Sequence, residues 1–220
     1  LVVVILYSFH DATIVAWPFK PFTLRWFGVL AHDSAMLDAA GASLKLAVLA
    51  TLLALGVGVP GAFVLDRLQF PGKDAFERLV LLPLILPGVI TGVALLTFFS
   101  FIGLPLTSGY PLVPGWPVVL GHGVALTSIV VTQVYARLKR VDASLEEASA
   151  DLGAPPWTTF WRAIIPNIRS AMIGSALLSF TLSLDEVPVT FFLIAILAAV
   201  TIGASILVAH AFGARVVVTE

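Results

Sequence analysis

Two adjacent carboxylates, Asp185 and Glu186, stand in a largely apolar run at residues 171–193. The run is long enough to cross a hydrocarbon core about 30 Å thick as a helix. An ionised carboxylate in that core costs about 2.5 to 3.5 kcal/mol on insertion scales, so such groups face protein or water. Pro188 removes a helical hydrogen bond and is predicted to open the helix there. Carboxylates within a membrane span indicate either a site that attracts a cation or an internal contact with a group of a partner protein.

Neighbouring helical positions point about 100° apart, so one carboxylate of the pair can face a path while the other faces protein. Gln133 and Tyr135, near the end of another apolar run at residues 118–135, either line the same path or pack between helices. Four histidines are scattered without ligand spacing, and the chain has no cysteine, so no metal site is expected. These histidines are His10, His32, His122 and His210.

The longest polar segment, residues 136–170, has a helical pattern of its own. Asp142 or Ser144 can begin a helix, and two glutamates, Glu146 and Glu147, then fall in its first turn, where carboxylates are favourable. Gly153 is predicted to end this helix, because glycine accepts the left-handed conformation common at helix ends.

A second helix is predicted at residues 157–165, because Pro155 and Pro156 prevent the first helix from continuing. Its apolar residues recur at spacings of three and four, which puts most of them on one face. They are Trp157, Phe160, Trp161, Ile164 and Ile165. This amphipathic helix either lies on the membrane surface or docks on a cytoplasmic partner.

The composition places these residues in a membrane protein. Of 220 residues, 59% are hydrophobic and 11% are charged, with a mean hydropathy of +1.04, whereas soluble domains carry about a quarter charged residues. The net charge of −1 gives no basic field for nucleic acid. We predict an all-α, polytopic helical bundle forming one domain, residues 1–220, with about six transmembrane helices. The predicted spans are residues 1–7, 46–65, 79–101, 118–135, 171–193 and 195–212.

Lysine and arginine placement predicts the orientation of these spans. Most basic residues follow spans two, four and six, which places residues 136–170 and the C-terminus in the cytoplasm. The chain begins without methionine inside an apolar run, so we expect a truncated first span. Spans five and six abut at residues 194 and 195 without turn residues, although helix connections take about two to eight residues. A segment absent from this numbering is therefore expected between them.

Residues 136–170 also carry a gapped motif that resembles the EAA motif of ATP-binding cassette (ABC) importer permeases. Its matching residues are Glu147, Ala148, Ser149, Gly153 and Pro166. The family motif reads Glu-Ala-Ala, three residues, Gly, nine residues, Ile, one residue, Leu-Pro. The spacing here is the same, with serine, alanine and isoleucine replacing the second Ala, the Ile and the Leu. Residues 23–27, 43–55, 82–96, 145–154 and 181–192 resemble the permeases of spermidine and putrescine importers in particular.

This resemblance implies a type I permease fold in a bacterial inner membrane, with a coupling helix seated in a cytoplasmic ATP-binding subunit. It implies a second homologous permease, two ATP-binding subunits and an external solute-binding protein. No Walker A pattern, the phosphate-binding motif of many ATPases, occurs in the sequence. We therefore expect that the chain is not an enzyme and binds no cofactor, and that ATP–Mg²⁺ is bound by the ATP-binding subunit. The residues implied to contact the ATPase are Glu146, Glu147, Ala148, Gly153, Trp157, Phe160, Trp161, Ile165 and Pro166. The resemblance suggests a polyamine path along Asp185, Glu186, Gln133 and Tyr135.

Two other functions stay open at this point. The solute could be a different small molecule, such as iron or phosphonate, because the solute-binding protein supplies much of the selectivity in such importers. An ion-coupled secondary transporter could instead use the acidic pair as its cation site. That alternative would show internal repeats, and no convincing repeat is evident in the sequence.

Overall fold

The structure, a computed structural model, describes residues 2–11, 22–103, 115–142 and 144–196, and its regular elements there are helices. The helices are α1 (Val2–Tyr7), α2 (Arg25–His32), α3 (Ser34–Arg67), α4 (Lys73–Ile85), α5 (Gly88–Phe101), α6 (Trp116–Leu138), α7 (Ser144–Asp151), α8 (Pro156–Thr159), α9 (Ile165–Asp185) and α10 (Val187–Phe191). Two π-helical turns cover Phe160–Ile164 and Phe192–Ile196. The chain divides into two compact units, Leu1–Ser43 and Leu44–Glu220.

The first unit is held together by aromatic side chains around α1 and α2. The rings of Phe9 and Phe22 stack with centroids 4.5 Å apart. Trp26 donates a hydrogen bond from Nε1 to the carbonyl oxygen of His10 at 3.0 Å. These contacts join the residues after α1 to the first turns of α2.

The second unit is a bundle in which α6 packs against α9 and α4. Its larger core lies between α3, α6 and the helix that starts at α8, and it is rich in alanine and valine, which let helices approach closely. The buried residues of this core are Ala50, Ala54, Ala62, Leu65, Leu126, Val130, Val131, Val134, Leu138, Ile164 and Ile168. Many large apolar side chains elsewhere in the bundle are exposed, as a lipid-facing surface requires.

Gly58 sets the distance between α3 and α6. A Cβ atom there would lie 2.8 Å from Cβ of Val130 and 3.2 Å from the carbonyl oxygen of Thr127. We expect Gly58→Ala to lower the free energy of unfolding by about 1 to 3 kcal/mol, the usual cost of overpacking. Gly56→Ala is the matched control, because a Cβ at Gly56 meets nothing within 4 Å. Thermal unfolding in detergent tests this, and equal midpoints for the two variants would contradict it.

The predicted all-α membrane class is confirmed. Three helices in the described ranges are long and apolar enough to cross a membrane: Ser34–Arg67, Trp116–Leu138 and Pro156–Asp185. The first begins twelve residues before the predicted start at residue 46, because alanine-rich sequence continues the helix beyond its apolar part. Of the predicted sixth span, residues 195–212, only the first two lie within the described residues.

The predicted third span, residues 79–101, is broken rather than continuous. Helices α4 and α5 meet at an angle of 115° across Leu86 and Pro87, since the residue before a proline is driven into extended conformation. Gly92 lets α5 pack closely on the segment after Glu186, because a Cβ there would lie 3.2 Å from Cβ of Phe192 and 3.3 Å from Cα of Val189. If α4 and α5 are counted together as one bent membrane span, the described residues contain four candidate spans instead of three.

The helix observed at the predicted fifth span, residues 171–193, differs from that prediction at both ends. Its helix starts at Pro156, runs through α8, the first π turn and α9, and stops at Asp185. After the break at Glu186, α10 and the second π turn continue without interruption through residues 194 and 195. The amphipathic helix predicted at residues 157–165 is therefore the first part of a 30-residue helix, not a separate element.

Candidate transport path and interaction loop

The first helix of the 136–170 segment is α7, and it begins as the sequence predicts. Asp142 accepts a hydrogen bond on Oδ1 from the amide of Ser144 at 2.9 Å. Two hydrogen bonds from Ser144 lower the pKa of the Asp142 carboxyl, the larger effect coming from this backbone amide and the smaller from the side chain. Of the two predicted capping residues, Asp142 therefore supplies the capping oxygen.

The turn after α7 depends on Gly153, whose φ is +73°. The amide of Gly153 donates to the carbonyl oxygen of Ala150 at 2.8 Å, and the amide of Ala154 donates to that of Ser149 at 3.0 Å. The hydroxyls of Ser149 and Thr159 then join the two helices at 2.7 Å. The predicted order of short helix, glycine turn and second helix is thus what the structure contains.

The predicted apolar face of the second helix is divided between two directions. Trp157 and Trp161 are 70% and 50% exposed, whereas Ile164 is 8% exposed and belongs to the core, with Ile165 packed against it. The π turn at Phe160–Ile164 explains the difference, because its hydrogen bonds span five residues instead of four and shift the following side chains around the axis.

Phe160 connects the two exposed tryptophans to the bundle. Its ring stacks on Trp157 with centroids 6.0 Å apart and meets the edge of Trp161 at 5.4 Å. On its other side it lies 5.4 Å from the ring of Phe63 in α3. The surface available to a partner is therefore the aromatic pair, Trp157 and Trp161, which Phe160 supports through its contact with Phe63 of α3. Ala148 and Pro166 are also exposed.

The two glutamates of α7 have different surroundings. Glu146 forms a two-pronged ion pair with Arg67 at the end of α3, one bond of which measures 2.9 Å. Arg67 also lies 3.1 Å from Asp66, which accepts a second contact from Lys139 at 3.5 Å. Glu147 is exposed and has no ion pair with any residue of the described ranges. Sequence reasoning missed the basic partner because no spacing rule relates residues so far apart.

Breaking the pair of Arg67 and Glu146 should weaken the tie between α7 and the bundle. Because the pair is about one-third exposed, its direct contribution is at most about 1 kcal/mol. We expect Glu146→Gln to reduce transport a few-fold without lowering the protein level, and the exchange Arg67→Glu with Glu146→Arg to restore most of it. Uptake assays of both variants test this, with Asp151→Asn as control; a failure of the exchange to restore transport would argue against the pair.

The acidic pair lies at a helix break, as the sequence predicts. Asp185 is the last residue of α9, and Glu186 has φ −81° and ψ 76° before α10 begins with Pro188 in its first turn. The Glu186 side chain accepts a hydrogen bond from the amide of Val189 at 3.4 Å and so caps α10. Asp185 is exposed and its side chain makes no hydrogen bond within the described part of the chain, whereas Glu186 is half-buried.

Two broken helices meet at Glu186. A Cβ on Gly88, the first residue of α5, would lie 2.7 Å from Oε1 of Glu186, so a larger residue there would require the carboxylate to move. A cavity of about 160 Å³ opens beside Glu186 and is lined by this residue and by residues of the three helices α4, α6 and α9. Its polar side chains are His122, Ser183 and Glu186. Broken helices with a carboxylate in a cavity provide a setting for a cationic group inside a membrane.

Gln133 and Tyr135 are not brought to this cavity. They lie about 16 Å or more along α6 from His122, at 1.5 Å per residue. Gln133 lines an open cleft of about 300 Å³ together with Arg137 and Arg140. Tyr135 packs against the core, and its ring lies 5.2 Å from Nζ of Lys139. Of the four residues predicted for the path, Asp185 and Glu186 therefore lie at the level of the cavity, whereas Gln133 and Tyr135 lie farther along the bundle.

Fold and site together define a polytopic α-helical membrane protein in which an exposed helical loop is continuous with a span that breaks at the half-buried Glu186. Residues 54–211 match the family of binding-protein-dependent transport system inner membrane components. The chain belongs to this family. The predicted membership among ABC importer permeases is thereby confirmed.

Individual relatives differ in the solute that their names give. Over 198 residues the chain is 36% identical to the putrescine transport system permease protein PotI of Escherichia coli (strain K12), which covers 87% of this chain and 68% of the relative. It is 31% identical over 193 residues to the spermidine/putrescine transport system permease protein PotC of that strain, covering 87% and 70%. A probable sulfate transport system permease protein of Marchantia polymorpha is 33% identical over 164 residues, covering 71% and 56%.

Proposed function

We propose that this chain is a permease subunit of an ATP-driven importer for a small cationic solute, of the polyamine class to which putrescine and spermidine belong. The observation that carries the proposal is the carboxylate of Glu186 at the junction of two broken helices. An ammonium group that leaves water needs an anionic or hydrogen-bonding partner, and the cavity offers a carboxylate and the Ser183 hydroxyl. Similarity to a putrescine permease over 87% of the chain supports the same class.

The energy would come from a separate subunit. The exposed tryptophans Trp157 and Trp161, together with Glu147 and Ala148, which are exposed on the preceding helix α7, form the surface for a cytoplasmic ATP-binding subunit that carries ATP–Mg²⁺. Basic residues near the 136–170 segment favour the cytoplasmic side for this surface. A second permease, two ATP-binding subunits and an external solute-binding protein complete the assembly.

Motion would reach the path through one element. The helix Pro156–Asp185 joins the aromatic surface to the acidic pair and, at 1.5 Å per residue, is about 45 Å long. A push on Trp157 and Trp161 therefore reaches Asp185 without crossing a flexible connection. The pair of Arg67 and Glu146 ties the preceding helix α7 to α3, so that the loop would move with the bundle.

The test is uptake by the complete importer reconstituted in proteoliposomes with its ATP-binding and solute-binding partners. We expect ATP-dependent accumulation of radiolabelled putrescine or spermidine, and stimulation of ATP hydrolysis by the same solutes. Sulfate, the solute named for one relative, serves as the comparison. Sulfate uptake without polyamine uptake would overturn the solute class, and uptake that needs no ATP would overturn the importer.

A further inference from the structure

His122 is buried in α6 and connects the two sides of the break in the neighbouring helix. It is 1% exposed. Its Nδ1 lies 2.9 Å from Oγ of Ser183, in α9 before the break, and its Nε2 lies 2.7 Å from Oγ1 of Thr190, in α10 after it. One imidazole thus holds both ends of the interrupted helix.

The direction of these hydrogen bonds follows from the hydroxyl of Thr190. That hydroxyl donates its one proton to the carbonyl oxygen of Glu186 at 2.9 Å, so towards His122 it can only accept. Nε2 must therefore carry a hydrogen, and in the neutral ring Nδ1 accepts from the hydroxyl of Ser183. The resulting sequence of bonds runs from Ser183 through His122 and Thr190 to the backbone of Glu186.

The residues on both sides of His122 in α6, Gly121 and Gly123, make close contacts with neighbouring segments. A Cβ on Gly121 would lie 2.6 Å from Cδ1 of Leu193, and a Cβ on Gly123 would lie 2.5 Å from Cδ2 of Leu53. The two glycines therefore let α3 and the segment after the break approach α6 on either side of the imidazole. A larger residue at Gly121 or Gly123 would require Leu193 or Leu53 to move.

We propose that His122 is a positioning residue of the solute path, which fixes Glu186 at the cavity by holding Ser183 and Thr190. It acts through these hydroxyls, and the charge that attracts the solute belongs to Glu186. This inference rests on the proposed function for its solute, but its geometric part does not depend on which solute is carried.

The uptake test uses variants that remove one bond at a time. We expect Thr190→Val and His122→Leu each to raise the KM for putrescine uptake about tenfold, with a smaller change in kcat, because the carboxylate loses its position and keeps its charge. Their double variant should be no worse than either one, since both remove the same connection. His122→Gln, which can still donate to Thr190, should recover most of the affinity. Additive effects, or equal losses for glutamine and leucine, would overturn the proposal.

A second measurement needs no solute. Because the chain has no native cysteine, Gly92→Cys with Phe192→Cys places two thiols where the Cβ atoms lie about 3.2 Å apart, close to the 3.5 to 4.5 Å of a disulfide. We expect rapid oxidation in the full complex, slowed at least fivefold by Thr190→Val. An unchanged rate would refute the positioning role. A slowed rate without any polyamine uptake would leave that role standing and refute only the solute class.

Discussion

Replacing Gly153 by valine should abolish ATP-driven uptake while leaving the protein in the membrane at its normal level. The backbone at Gly153 has φ +73°, a conformation that costs other residues roughly 1 to 2 kcal/mol and is an outlier for a β-branched one. To relieve this strain the turn must open, which separates Ser149 from Thr159 and turns α7 away from the tryptophans. Uptake in membrane vesicles and co-purification of the ATP-binding subunit should fall together.

Two controls separate backbone strain from the added volume. Gly153→Asn should retain part of the activity, because asparagine adopts the left-handed conformation more readily than other residues. Gly56→Val adds the same side chain in a helix where a Cβ meets nothing within 4 Å, and it should leave uptake unchanged. Full activity of Gly153→Val would show that the turn is not needed for coupling.

Glu186→Gln should lower putrescine uptake at least about tenfold, which corresponds to about 1.4 kcal/mol of lost interaction with the cation. Glutamine has nearly the same shape, and its Oε1 can still accept the hydrogen bond from the Val189 amide, so the start of α10 should persist. The loss would then report the charge alone. Uptake kinetics in proteoliposomes, with the amount of assembled complex measured in parallel, test this expectation.

Asp185→Asn is the matched control for that charge. Asp185 is exposed and does not line the cavity, so we expect a smaller loss of uptake than for Glu186→Gln. A large loss with Asp185→Asn and none with Glu186→Gln would transfer the cation site to the neighbouring residue. Unchanged polyamine uptake in both variants would mean that the acidic pair is not the cation site.

Local sequence signals predicted the parts of this structure that local physics controls. Asp142, Gly153 and Pro188 act through the backbone of their own neighbours, so the start of α7, the turn after it and the break at Glu186 could be read from the chain. The apolar runs at residues 46–65 and 118–135 likewise fall within α3 and α6, because the length of a helix in lipid is set by the thickness of the hydrocarbon core.

Other features depend on contacts between distant parts of the chain. The pairing of Arg67 with Glu146 and the bonds of His122 to Ser183 and Thr190 follow from how α3, α6 and α9 pack, which no periodicity encodes. The spacing of His122 from the other histidines fits no metal site and so predicts no role for it. A signal was nevertheless available, since it lies between two glycines within an apolar run, where a polar ring requires partners on another helix.

The continuous helix from Pro156 to Asp185 has a consequence for how this protein can change in evolution. Each residue added or removed in a helix turns everything beyond it by about 100° and shifts it by about 1.5 Å. A single deletion within α9 would therefore rotate Ser183 away from His122 while Trp157 and Trp161 kept their place. Insertions and deletions in α9 should therefore not be tolerated, so the number of residues between the tryptophans and the acidic pair should be fixed among chains that share this mechanism.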